Sequence, residues 1–145
     1  MKAFISGGAG FIGSHLLRRL LRENDIYQVV VFDNFSSGQW SYLDGLTADP
    51  RLQIVTADLK EVAAIEAAMK GSSVVYHLAA NPDIAKAVTQ PDIDFWEGTY
   101  LAQNVLEAMR RTNTRRIFYT SGSGVYGEDP ETAFPESYGP CKPIS

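Results

Sequence analysis

Short apolar, β-branched runs alternate along the chain with longer stretches whose apolar positions recur every three or four residues. Lys2–Ser6 reads as a first strand. After it Leu16, Leu17, Leu20 and Leu21 gather on one side of a helix at i, i+4 spacing. Valine-rich Gln28–Phe32 predicts a second strand, Leu52–Thr56 a third, Ser73–Leu78 a fourth and Arg116–Ser121 a fifth. Between them, Val62, Ile65 and Met69 mark a helix stopped by Gly71. Leu101, Val105, Ala108 and Met109 mark a long one from about Asp92 to Arg111. Alternating units of this length predict an α/β domain, a doubly wound parallel sheet with helices on both faces. The strands are apolar runs, as expected when both faces of a sheet are covered. No repeat, low-complexity tract or linker divides the chain, so residues 1–145 are expected to form one domain.

Composition narrows the partners. Net charge is −4, and basic residues are scattered apart from the pairs Arg110-Arg111 and Arg115-Arg116. This argues against nucleic acid or an anionic membrane surface. Both pairs flank a predicted helix end and strand start and read as a solvated face. The single cysteine, Cys141, cannot close an internal disulfide, which fits a reducing, cytoplasmic setting. The opening MKAFISGG is too short an apolar stretch for a signal peptide. No segment has the length needed to span a bilayer.

The first candidate chemistry follows the first strand directly. Gly7, Gly10 and Gly13 stand at G-x-x-G-x-x-G spacing and open the first helix. Gly7 permits a sharp turn, Gly10 leaves no Cβ between backbone and a pyrophosphate, and Gly13 lets the helix pack closely on the sheet. The helix N-terminus presents free N–H groups and a positive dipole end to phosphates. Asp33, at the end of the second strand, lies twenty residues beyond Gly13. A carboxylate there accepts both hydroxyls of an adenosine ribose and repels a 2′-phosphate, so the predicted cofactor is NAD rather than NADP.

Together, GGAGFIGSH, VVFDNFSSG, ADL at 57–59, HLAA at 77–80, NVLEA at 104–108 and SGVYG at 123–127 resemble the extended short-chain dehydrogenase/reductase family. The likeness runs over the whole chain and is nearest to nucleotide-sugar epimerases and dehydratases of the UDP-glucose 4-epimerase type. It implies a Rossmann fold, truncated after the fifth strand, and several roles. Phe11 and Ile12 would line the pyrophosphate turn, and Asp33 and Asn34 would hold the adenosine ribose. Asp58 and Leu59 would flank the adenine, with Asp58 accepting from its amine; Asp58 also reads as the N-cap of the following helix. Leu78, Ala79 and Ala80 would pass beside the phosphates and the nicotinamide ribose. His77, late in a buried strand, reads as a core residue. His15 reads as an ordinary helix position, the alternative being a phosphate contact.

The resemblance implies hydride removal from a sugar carbon to the nicotinamide, with a tyrosinate taking the hydroxyl proton and a serine or threonine bonding the same oxygen. Two positions depart from that pattern. Four residues before Tyr126 of VYG, where the hydroxyl residue belongs, stands Gly122. Of its neighbours Ser121 and Ser123, Ser123 is the better replacement, because Gly122 and Gly124 around it allow unusual backbone angles. Tyr138 and Lys142 form a Tyr-x-x-x-Lys pair, but only twelve residues beyond Tyr126. Gly139, Pro140 and Pro143 disfavour the helix that would put both on one face. The pair is therefore expected to be a loop look-alike, with the true pair and the substrate domain beyond Ser145.

The function implied is an NAD-dependent nucleotide-sugar 4-epimerase, an isomerase of carbohydrate metabolism, acting on a nucleotide sugar as a homo-oligomer. The absence of acidic residues at 123 and 124 favours epimerase over dehydratase. Two readings stand beside it: an NAD-holding module without chemistry, and an interaction protein whose open sheet edge and apolar face are buried in an oligomer. No metal ligands are predicted.

Overall fold

The computed structural model describes residues 1–81, 83–122 and 135. Five strands form one parallel sheet: β1 (Lys2–Ser6), β2 (Gln28–Asp33), β3 (Leu52–Thr56), β4 (Val74–His77) and β5 (Ile117–Tyr119). Their order is β3-β2-β1-β4-β5. The chain winds outward from β1 to β3 and then crosses back to β4, so the winding reverses between β1 and β4.

Alternation along the strands sorts side chains into two cores. Ala3, Ile5, Val29, Val31 and Val74 point to one face and pack with Leu17, Leu20 and Leu21 of or beside helix α1 (Phe11–Leu20). Phe4, Val30, Phe32 and Val75 point to the other. There they meet Ile65 and Met69 of α2 (Val62–Met69) and Leu101, Val105 and Met109 of α3 (Tyr100–Thr112). The doubly wound sheet with helices on both faces is thus the architecture the hydrophobic pattern predicts.

Three details depart from the pattern. Unbroken burial holds for β1 and nearly all of β2, but the edge strands differ: β3 is half exposed and all three residues of β5 are exposed. The fourth and fifth strands are shorter than predicted, Val74–His77 and Ile117–Tyr119. The long helix is not uniform. A π-helical turn, Phe95–Thr99, leads into α3, and a short 3₁₀ turn, Ile84–Val88, precedes the predicted span. The Tyr100 N–H donates to Phe95 O, five residues back, while Trp96 stacks edge-on against Phe95 and Tyr100. The apolar repeat that announces the helix begins at Leu101, after this bulge, and so carries no trace of it.

The arginine pairs sit on the surface. Arg110 and Arg111 both bond Glu107, at i+3 and i+4, and hold its carboxyl down to about 2. Arg115 donates to the Asn113 side chain, which keeps that pair at the surface too. No helix among the described residues is long and apolar enough to cross a membrane.

Candidate functional site

The reversal between β1 and β4 opens a crevice at the carboxyl ends of the strands, the place where doubly wound sheets bind ligands. A cavity of about 460 Å³ lies there, within the range of roughly 300–1,000 Å³ typical of small-molecule sites. Gly7, Gly10, Phe11, Ile12 and Gly13 form one wall. Asp33 and Asn34 from the end of β2, with Asp58 and Leu59 from the end of β3, form a second. Leu78, Ala79 and Ala80, beyond β4, form a third. All twelve residues singled out in the sequence for a cofactor therefore line one cavity.

The turn is built by close approach. Gly7 has φ +74°, and a Cβ on it would come within 2.7 Å of the Ala79 N. Its own N–H donates to Phe32 O at 3.0 Å, so the turn is pinned between the ends of β2 and β4. A Cβ on Gly10 would meet only Gly7 O, at 3.3 Å, which leaves the cavity side open. A Cβ on Gly13 would lie 2.3 Å from Gly7 O and 2.7 Å from Gly8 Cα. Its missing side chain lets the start of α1 pack closely on the turn that leaves β1. No side chain caps α1, and its first turn holds no acid, so the helix end facing the cavity keeps its positive character.

Asp33 organises the second wall. Its Oδ2 accepts from the Ala9 N–H at 2.8 Å and its Oδ1 from the Phe35 N–H at 2.9 Å. It thereby ties the glycine turn to the loop after β2. That loop is held hard: Phe35 adopts φ 58° and stacks on Trp40 at 4.3 Å, and Gln39 N donates to Ala9 O at 3.0 Å. Left-handed backbone is uncommon for a bulky residue and persists where the surroundings over-determine it. Each carboxylate oxygen has a second acceptor site, so Asp33 can still receive ligand hydroxyls.

Asn34 and Asp58 meet each other. Asn34 Nδ2 donates to Asp58 Oδ2 at 3.0 Å, and Asp58 Oδ1 accepts from the Lys60 N–H at 2.8 Å. The reading of Asp58 as a helix N-cap is corrected here. The residue before α2 is Glu61, which caps with no side chain, and Asp58 instead holds the turn leading to it. Three residues separate that carboxylate from the first helical N–H, too far to cap it.

The two histidines follow their plainer readings. His77 is 2% exposed and shares a 2.6 Å hydrogen bond through Nδ1 with the Ser6 hydroxyl. Burial pushes its imidazole down to about 4. His15 turns Nδ1 toward Phe11 O at 2.9 Å and lies tilted against the Phe11 ring at 4.8 Å; it is not among the residues lining the cavity.

Several wall residues carry no clear signal in the sequence. Gly38 packs so tightly that a Cβ would stand 2.8 Å from Asp33 Oδ1 and 2.9 Å from Ala9 Cβ. Its place five residues past Asp33, in the polar SSG, is the one hint. Glu97 reaches the cavity from the π-helical turn, which nothing in the local pattern announces. Ser123, Tyr138 and Lys142 lie outside the described residues. Gly122 is exposed, and a Cβ on it would meet nothing within 4 Å. Among the described residues, packing does not demand a glycine there.

A glycine turn between strand and helix, an acidic residue at the end of β2 and a crevice at the reversal define a dinucleotide-binding α/β domain. The sequence profile of the NAD dependent epimerase/dehydratase family matches residues 3–145, and the chain belongs to that family. A UDP-glucose 4-epimerase from Mycolicibacterium smegmatis is 33% identical over 140 residues, covering 94% of this chain and 43% of that protein. A dTDP-glucose 4,6-dehydratase from Streptomyces venezuelae, solved with NAD bound, superposes with a TM-score of 0.83 at 27% identity, covering 99% of this chain and 46% of that one. A UDP-glucose 4-epimerase from Thermus thermophilus, solved with NAD, superposes with a TM-score of 0.77 at 30% identity, covering 99% and 45%. The chain thus spans under half the length of these relatives.

Proposed function

We propose that this chain holds NAD in the crevice and is the cofactor-binding part of a nucleotide-sugar 4-epimerase. The observation that carries the reading is the convergence of all twelve residues on one cavity, with Asp33 bonded to the glycine turn. The walls fit the group. The glycine turn leaves room that a Cβ would fill, and the uncapped end of α1 suits a pyrophosphate. Asp33 and Asn34 would hold the adenosine ribose, and Asp58 and Leu59 the adenine. Leu78, Ala79 and Ala80 would flank the phosphates and nicotinamide ribose. When bound, NAD supplies a hydride acceptor and donor for a sugar carbon. What these residues do is bind, orient and exclude a 2′-phosphate.

Proton transfer at the sugar would need groups other than those lining this cavity, and Ser123 is the candidate within the chain. Tyr138 and Lys142 are assigned no part. A dehydratase is the second reading, since the chain also superposes on the Streptomyces dTDP-glucose 4,6-dehydratase. A cytoplasmic, homo-oligomeric protein acting on a nucleotide sugar completes the proposal. Its supports are the lone cysteine and the exposed apolar side chains of β5.

Calorimetric titration of the chain with NAD and NADP tests it. NAD should bind, and NADP at least about tenfold more weakly, which corresponds to roughly 1.4 kcal/mol. Asp33→Ala should weaken NAD by a similar factor or more, because a charged acceptor is lost. No heat of binding with millimolar NAD would overturn the reading.

A further inference from the structure

The turn that carries Asp58 is held from the α3 side by a row of three residues, of which Glu97 is singled out by neither the sequence pattern nor the family motifs. Asn104, buried in α3, donates Nδ2 to Leu59 O at 2.9 Å. Leu101, one turn earlier, is buried and lines the cofactor cavity. Glu97, one turn earlier still, lies in the π-helical turn and binds Lys60 Nζ through Oε1 at 2.5 Å. Glu97, Leu101 and Asn104 follow at i, i+4 and i+7, and Glu97 and Leu101 both line the cofactor cavity. Single-turn π-bulges concentrate at functional sites.

Glu97 also lines a second, more polar cavity of about 630 Å³, which Lys60 borders as well. Glu97, Asn34 and Asp58 are common to both cavities, as are Ser36, Ser37, Ala80 and Asn81. The ion pair therefore stands at the boundary between the two, beside the Asn34–Asp58 hydrogen bond. Lys60 links it to that bond through its own backbone N–H on Asp58 Oδ1.

We propose that the Lys60–Glu97 pair is a partition that closes the adenosine end of the cofactor groove and holds the Asp58 turn in its binding position. Both are positioning residues: they touch the turn that meets the adenine, not the reacting carbon. The inference rests on the NAD reading of the groove. Both side chains are over a third exposed, so the pair contributes little to folding. Its effect belongs to ligand affinity, and to the adenosine half of the ligand alone.

The test titrates the full 145-residue chain with AMP and, separately, with nicotinamide mononucleotide. The variants are Glu97→Gln, Lys60→Met and the two combined. Lys60→Met keeps the backbone N–H on Asp58, so it reports the side chain only. Each single change should weaken AMP by about threefold to fivefold, the upper range of an exposed ion pair. Nicotinamide mononucleotide should be unaffected. The combined variant should be no weaker than either single one, since both remove the same interaction. Unchanged AMP affinity in both singles, or an equal loss for both ligands, would overturn the partition while leaving the NAD reading intact. A wild-type chain that ignores AMP and NAD alike would instead overturn the reading on which it rests.

Discussion

His77 sits in an environment far from its ordinary state. Its ring is packed at the end of β4, against Tyr119 at 5.6 Å and on the Ser6 hydroxyl. Because burial lowers its pKa from 6.5 to about 4, the unfolded chain binds a proton more readily than the folded one between those values. Stability from neutral His77 is complete above about pH 6.5 and is lost as pH falls toward 4. Urea unfolding should find the chain weaker at pH 5 than at pH 7 by about 2 kcal/mol from this group. His77→Asn should flatten that difference; a variant with the same pH slope as wild type would assign the loss to other groups. Asp33 presents the opposite situation at the same scale. Twenty residues of spacing mark it as a ribose acceptor, but its bonds to the Ala9 and Phe35 N–H groups need the fold to bring three segments together.

At the scale of elements, α3 illustrates what a pattern reveals. Its buried face, Leu101, Val105, Ala108 and Met109, is legible at helical spacing and is the face that packs on the sheet. Its end is also written locally: Asn113 takes φ 57° and ψ 29°, and its N–H closes the last turn on Arg110 O. Asparagine accepts this left-handed position, which costs ordinary residues roughly 1–2 kcal/mol. Asn113→Ala should therefore lower stability by about 1 kcal/mol, whereas Asn113→Gly should hold it near wild type. Thermal unfolding of the two variants decides, and equal melting temperatures would dismiss the cap. The π-helical turn ahead of α3 escapes such reading, because one extra residue shifts the phase without altering the composition. α2 adds a contact of the same hidden kind: Lys2 Nζ donates to Ala68 O at 3.1 Å and Lys70 O at 2.7 Å, across 66 and 68 residues. Burial lowers the pKa of that ammonium.

Among the described residues, the sheet has a well-covered centre and an open flank at β5. Ile117, Phe118 and Tyr119 of β5 are 36%, 60% and 62% exposed, and Phe118 stacks on Tyr76 at 5.1 Å. Three consecutive exposed apolar residues on an edge strand favour association. Under the homo-oligomer proposal, sedimentation should find an average mass that rises with concentration, and Phe118→Glu should shift it toward the single chain. A wild-type mass constant at one chain over the whole range would remove β5 as an interface.

The sequence by itself determined the order of strands and helices, the doubly wound class and the glycine-turn and acidic residues, because each depends on local periodicity, turn chemistry or spacing along one segment. Those signals are short in range and survive without knowledge of neighbours. The tertiary structure decided what those residues touch. It set Gly13 against the Gly7-Gly8 turn, joined Asn34 to Asp58, moved Asp58 away from the helix cap and aimed Glu97 at Lys60. It also left β5 uncovered among the described residues, although its composition matches that of a buried strand. In every such case the partner lies on another element, and the contact depends on how those elements pack, which no local window contains.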